Sequence, residues 1–256
     1  MKPPRFEYAR PESLEEAVAL LAEGEDAKVL AGGQSLVPAL NMRLLRPSLL
    51  VDLGRVRGLD RIEARNSSVA VGARVTQRAF AESPLVPPLA AEALPHVGHY
   101  VTRNRGTVGG SIAHADAAAE LSLCLVVLGG SVVTNRRTIP AEEFFVGHFT
   151  TALERGELVV ETLWPRLDGW RFAFEEFAQR RGDYGLSLVA VALRLEDGVV
   201  AESRLGLASV TDRPTLVADA EAVESLELWG NLHASPDYLR NLTRILVARA
   251  VARAAA

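Results

Sequence analysis

The 256-residue chain carries one cysteine and two methionines, and aromatic residues fill only 6% of its positions. A single thiol excludes a disulfide framework, and because an iron–sulfur cluster takes about four thiolates, any such centre has to sit on another polypeptide. Cys124 lies in the apolar run Leu121 to Leu128, the setting of a buried structural thiol rather than a nucleophile. No uninterrupted apolar stretch approaches the ~20 residues of a membrane span, and Met1 to Tyr8 contain no apolar signal core. A cytoplasmic protein without membrane insertion is therefore expected. Positive charge is not in excess: 28 Lys and Arg against 32 Asp and Glu give a formal net charge of −4, which offers nucleic acid no electrostatic attraction. His96 and His99 stand three residues apart, yet no third ligand with metal-site spacing accompanies them, so no metal site is expected. Neither a Ser/His/Asp nor a Cys/His set can be assembled, and paired carboxylates with an acid/base role are absent. No catalytic side chain is nominated.

What the chain does have is a hydrophobic content of 48%, enough for a substantial core, and two glycine pairs in similar settings. One is Leu30-Ala31-Gly32-Gly33-Gln34-Ser35-Leu36; the other is Gly106-Thr107-Val108-Gly109-Gly110-Ser111-Ile112. Either pair alone reads as a tight turn. Together they read as two halves of an anion cradle, because glycine lets backbone N–H groups converge on phosphate oxygens and the neighbouring hydroxyls add donors. No Lys-Ser or Lys-Thr follows the glycines, and the G-x-G-x-x-G fingerprint is missing, which disfavours a P-loop nucleotidase and a Rossmann dehydrogenase.

Along the chain, Ser13 with Glu16 forms a capping box ahead of a helix with Leu and Val at helical spacing. Lys28 to Ala31 and Ser48 to Leu53 read as strands, and Val69 to Ala73 starts a third region. Arg78 to Ser83 and Leu89 to Leu94 read as helical pieces punctuated by Pro84, Pro87, Pro88 and Pro95. Asp116 is placed to cap a helix from Ala117 to Leu128, so that strand, glycine loop and helix N-terminus would follow one another. Ser131 to Val133 and Thr138-Ile139 read as strands. From Arg171 the pattern turns β-rich, with strands over Phe172–Ala178, Leu186–Leu195 and Val199–Val210 and a hairpin turn at Asp197-Gly198. A terminal helix, capped by Ser235, runs from Pro236 to Ala254 with Leu239, Leu242, Leu246 and Val247 on one face.

Three ordered segments, Ala31–Leu36, Asn104–Ser111 and Arg180-Arg181-Gly182-Asp183-Tyr184, resemble the signatures of the FAD-binding medium subunit of molybdenum hydroxylases, the family of xanthine dehydrogenase and aerobic carbon monoxide dehydrogenase. The resemblance spans nearly the whole chain. It implies an α+β fold: a PCMH-type two-part FAD-binding domain over residues 1–167, with subdomains of about 1–53 and 54–167, then a C-terminal domain of antiparallel sheet plus helices over 168–256. It implies FAD as cofactor, with Ala31, Gly32, Gly33, Gln34, Ser35 and Leu36 wrapping one side of the pyrophosphate and ribitol, and Thr107, Gly109, Gly110 and Ser111 closing the other. His114, Asp116 and Glu120 are further contact candidates. For Asp116, helix capping and ligand contact both stand. Asp183 and Tyr184 match the segment that approaches the flavin ring, although residue type alone reads equally as a β-turn with solvated arginines. Arg103 and Arg105, on either side of Asn104, read as steadying a phosphate or as a solvated or partner-facing surface, the latter favoured.

The implied role is electron transfer, from iron–sulfur centres on a partner chain through FAD to a terminal acceptor, within a hetero-oligomer containing a large molybdopterin-binding subunit and a small 2Fe–2S subunit. Alternatives are a stand-alone flavin-dependent reductase of the same fold and a flavin-free structural partner. The sequence departs from the family in three places: Glu120 stands where Asp is usual, Ala117 where Pro is common, and the stretch Ala218 to Asn231 is short.

Overall fold

The computed structural model describes residues 1–228, 230 and 232–256; Trp229 and Asn231, at the end of the shortened stretch, lie outside the described residues. Three sheets carry the architecture. Near the N-terminus, Glu7–Ala9, Leu49–Asp52 and Ala27–Leu30 pair in parallel, in that order, with the Leu14–Glu23 helix as the crossover. The helix begins as its sequence demands, Ser13 Oγ accepting from Glu16 N at 3.1 Å. The second sheet is antiparallel, ordered Ile62–Arg65, Ser68–Gly72, Val159–Pro165, Ser131–Thr134 and Thr138–Pro140. Its central strand comes from residues 159–165, far along the chain, and fixes the buried Trp164 indole against Phe80 at 5.2 Å between centroids.

The third sheet is an antiparallel meander of Trp170–Ala178, Gly185–Glu196, Val199–Ala208 and Thr215–Val217. Its second hairpin turns at Asp197 (φ 52°) and Gly198 (φ 79°), the left-handed pair that a two-residue hairpin requires. Along Leu188 to Leu193 successive side chains enter opposite cores. Leu188, Ala190 and Ala192 join the cluster around the Glu120–Val127 helix, whereas Val189, Val191 and Leu193 pack with the terminal helix. That helix, Pro236–Ala255, is capped by Ser235 and buries Leu239, Leu246 and Val247, with Leu242 packed at the margin. A buried hydroxyl pair, Ser187 with Thr243 at 2.9 Å, pins it to the sheet.

Two expectations change. The second glycine segment is not a loop after a strand: Val108–His114 is itself helical, preceded by the short Tyr100–Arg103 helix. Gly-Gly is a poor helix former, but Thr107 Oγ1 caps Gly110 N at 3.0 Å and a Cβ on Gly109 would stand 2.5 Å from Ala73 Cα, so close packing wins over propensity. Asp116, in turn, is not an N-cap. The next helix starts at Glu120 with Ala119 in the cap position, and Asp116 Oδ1 instead accepts from Ala118 N at 3.0 Å. The break lies at Ala115, whose left-handed φ of 51° separates the two helices.

Candidate functional site

The two glycine segments, whose Gly-Gly pairs stand 77 residues apart in sequence, meet. A Cβ on Gly32 would fall 2.2 Å from Arg105 O and 2.8 Å from Gly106 Cα, and one on Gly110 would touch Ala31 Cβ at 3.5 Å. Neither segment leaves room for a side chain on its glycine. Beside this crossing lies a cavity of about 430 Å³, lined by Ala31, Gly32, Gly33, Gln34, Asp52 and Arg105 among others. On the other side is a second cavity of about 210 Å³, lined by Ala31, Gly32, Gly54, Arg74, Thr107 and Arg105 among others. Two cavities that share Ala31, Gly32 and Arg105 suit a ligand threaded across the junction.

Local hydrogen bonds decide which donors remain. In the first segment they engage carbonyls: Gly33 O accepts from Val37 N (3.0 Å) and Gly32 O from Gln34 Nε2 (3.3 Å). Ser35 holds the cap position of the Leu36–Asn41 helix without a side-chain cap bond. In the second segment Gly110 N is held by Thr107 Oγ1 and Ser111 N by Thr107 O, each at 3.0 Å, and Val108 N donates to Val75 O at 2.9 Å. The hydroxyls of Thr107 and Ser111, with the Gly109 N–H in the first turn of the helix, are the donors this segment can offer.

Arg103 and Arg105 part company. Arg103 clamps its own loop, donating to Val97 O (2.9 Å) and Gly98 O (3.0 Å), whereas Arg105 lines both cavities and supplies positive charge. Arg103 is thus committed to its own loop, while Arg105 is exposed at the edge of both cavities. Asp52 also lines the larger cavity, and its negative charge is already engaged: Tyr8 donates to it, Gly54 N donates at 2.7 Å, and Arg10 stands 3.4 Å away. Asp52 and Arg74 carry no motif, and sequence reasoning missed them as cavity residues.

The Val108–His114 helix spans about 10 Å at 1.5 Å per residue, and beyond its far end a second group gathers. His114 packs against Phe149 at 4.7 Å, and burial lowers its pKa, so the imidazole is neutral at pH 7. Tyr184 is 67% exposed, and its hydroxyl lies within electrostatic reach of Asp116. Desolvation of that end, with Asp116 and Glu120 adding repulsion, pushes the phenol up to about 12. Glu120 is buried in the first turn of its helix, and burial, reinforced by Glu176, pushes its carboxyl up to about 8. Asp183 N donates to Arg180 O at 3.1 Å, closing the turn that presents Tyr184, and Gly182 there has a φ of 87°. His99 packs where a Gly182 Cβ would fall; among the described residues no group of metal-ligand side chains assembles around it or elsewhere.

A family described as the FAD binding domain in molybdopterin dehydrogenase matches residues 4–167. The chain belongs to the FAD-binding medium subunits of the molybdenum hydroxylases. It is 39% identical to the nicotine 6-hydroxylase medium subunit of Paenarthrobacter nicotinovorans, over 100% of this chain and 99% of that one. Among solved structures, a chain of the carbon monoxide dehydrogenase of Hydrogenophaga pseudoflava superposes with a TM-score of 0.95 at 34% identity, covering 99% of this chain and 98% of that one. A chain of quinoline 2-oxidoreductase from Pseudomonas putida 86 gives 0.95 at 36%, covering 100% and 98%.

The residues present fit a dinucleotide. Glycines 32 and 110 leave open the space that a Cβ would fill, hydroxyl donors and one cation surround it, and a polar group with an exposed aromatic ring waits one helix length away. Thr107→Ala is expected to cost about 1 kcal/mol of folding stability through the lost cap, and to weaken FAD binding besides. Urea unfolding of the flavin-free chain measures the first effect, and FAD titration of the same protein measures the second.

Proposed function

We propose that this chain is the flavin electron-transfer subunit of a molybdenum hydroxylase, taking electrons from an iron–sulfur centre on a partner chain and passing them to a terminal acceptor. The observation that carries the reading is the crossing of the Gly32 and Gly106 backbones, which closes one cradle from two distant segments. Arg105 and the hydroxyls of Ser35, Thr107 and Ser111 hold the pyrophosphate, which suits them because phosphate oxygens are strong acceptors. The Val108–His114 helix then sets the distance to the flavin end, where Tyr184 covers one ring face and Asp116, Glu120 and His114 supply polar contacts. Asp183 holds the turn that aims Tyr184. FAD supplies two-electron and one-electron chemistry; the protein supplies position, dryness and the charge around the ring.

The chain's single cysteine means that its redox partners lie on other polypeptides, and we assign it a large molybdopterin-binding subunit and a small 2Fe–2S subunit. The nicotine 6-hydroxylase relative, described as a medium subunit, points the same way. We further divide the chain into flavin-binding parts over residues 1–53 and 54–167 and a C-terminal part over 168–256, a division supported by the family match ending at residue 167. No helix among the described residues is long and apolar enough to cross a membrane.

Co-expression with the neighbouring genes tests the proposal. The expected result is a complex in which this chain carries a flavin absorbance spectrum and brings down one larger and one small cysteine-rich chain. A yellow protein that elutes alone and oxidises NAD(P)H would indicate a self-sufficient reductase. A colourless protein that cannot be reconstituted with FAD would overturn the flavin role itself.

A further inference from the structure

Besides Glu120, already placed at the flavin end, the molecule buries titratable side chains that the proposed electron route does not use. Glu176, on the Trp170–Ala178 strand, has a side chain only 3% exposed, and its Oε2 has no hydrogen-bond partner. Burying an ionised carboxylate oxygen without a donor is costly, so the group is stabilised by carrying a proton. Glu120 is also buried, in the first turn of its helix, within electrostatic reach of Glu176, Asp116, Arg103 and Tyr184. Cys124, one turn further along the same helix, is pushed up by its own burial, with Glu120 and Glu92 adding repulsion. On the outer side, His96 Nδ1 stands 3.7 Å from Glu176 Oε2, with 42% of its side chain exposed. The imidazole is flanked by Arg181, Glu175, Arg253 and Glu92, and its ring rests on Phe174 at 5.3 Å.

We propose that Glu120 and Glu176 form a proton store serving the flavin end of the site, with His96 as its port to solvent. The proposal rests on the electron-transfer reading above. Two-electron reduction of a flavin to its fully reduced neutral form consumes two protons, whereas an iron–sulfur donor on a partner chain delivers electrons alone. The protons have to come from this chain or from water passing through it. In the discharge step a carboxyl O–H bond breaks, the proton leaves toward the flavin end, and a carboxylate remains. Refilling transfers a proton from water through the His96 imidazole to Glu176, leaving hydroxide in bulk solvent. Burial holds the pair near neutrality, with Glu176 raised to about 7 and Glu120 to about 8, so the store is charged at neutral pH and discharges at small cost.

The test reads the proton directly and needs no partner. Infrared difference spectra of the full chain without flavin, taken between pH 6 and 9, are expected to lose a protonated-carboxyl C=O band with midpoints near 7 to 8. Glu176→Gln should remove one component and lower the remaining midpoint, since the like-charge neighbour is gone. After a pH jump, His96→Ala should slow reappearance of the band at least tenfold while leaving its midpoints within about one unit. Absence of any protonated carboxyl at pH 7 in the wild type overturns the store, and an unchanged refilling rate in His96→Ala overturns the port. Either failure leaves FAD binding and partner capture as measured, so it is distinguishable from failure of the electron-transfer reading.

Discussion

Gly32→Ala is expected to weaken FAD binding by at least ~100-fold, about 3 kcal/mol, in a chain that still folds. The added methyl would meet Arg105 O at 2.2 Å and Gly106 Cα at 2.8 Å, and both obstacles are backbone rather than flexible side-chain ends. The two segments have to separate by more than an ångström to admit it. That movement opens the shared wall of both cavities and carries Arg105 and Thr107 away from Ala31 and Gly33, so every contact to a pyrophosphate is strained at once. Gly58→Ala is the matched control. Gly58 is left-handed at φ 85° with nothing within 4 Å of its missing Cβ, so that variant pays a modest backbone cost without touching the cradle. Flavin-fluorescence titration of the two flavin-free variants should show the loss in Gly32→Ala alone. Equal affinities would mean that the crossing does not hold the cofactor.

How the sequence announces this site depends on what kind of residue does each job. Gly32 and Gly110 are visible because only glycine permits the close approach, and the same constraint makes Asp197-Gly198 readable as a turn. The Ser13 capping box and the Ser235 cap are legible because short polar side chains satisfy helix N–H groups locally. Where tertiary contacts decide, the pattern misleads. Gly109-Gly110 looks like a loop until Ala73 packs against it, and Asp116 looks like a cap until Ala115 turns left-handed and the carboxylate goes to Ala118 N. The strand Val159–Pro165 escapes notice because its partners, Ser68–Gly72 and Ser131–Thr134, are distant and its burial alternates imperfectly. Arg74 is the instructive miss: a lone arginine after a strand carries no periodic signal, and only the meeting of two remote segments makes it a cavity wall.

Glu157→Ala is expected to destabilise the chain by about 2 kcal/mol at pH 6 and to remove most of its acid sensitivity. The Glu157 side chain is fully buried and accepts from Arg137 Nε and Nη2 (both 3.0 Å), Thr134 Oγ1 (2.7 Å) and Glu154 N (2.8 Å). Arg137, first among these donors, helps pull its pKa down from 4.5 to about 2. A depressed carboxylate contributes stability that is complete above its unfolded pKa near 4.5 and is lost as pH falls toward 2. Arg137 is 45% exposed, and solvent takes up part of its charge when the partner is removed, which keeps the cost below that of a fully buried pair. Glu120 and Glu176 work in the opposite sense. Their raised values, about 8 and about 7, give stability that is present below 4.5 and drains away as pH climbs through 7 and 8. The slope is on the order of 1 kcal/mol per pH unit for each group. These two limbs put the stability maximum of the flavin-free chain at about pH 5. Urea midpoints measured from pH 3 to 9 should trace that dome in the wild type, a flattened acid limb in Glu157→Ala, and a flattened alkaline limb in Glu176→Gln. A wild-type curve that rises steadily to pH 8 would show that the buried carboxyl pair is ionised in the folded state, and would remove the basis of the proton store along with it.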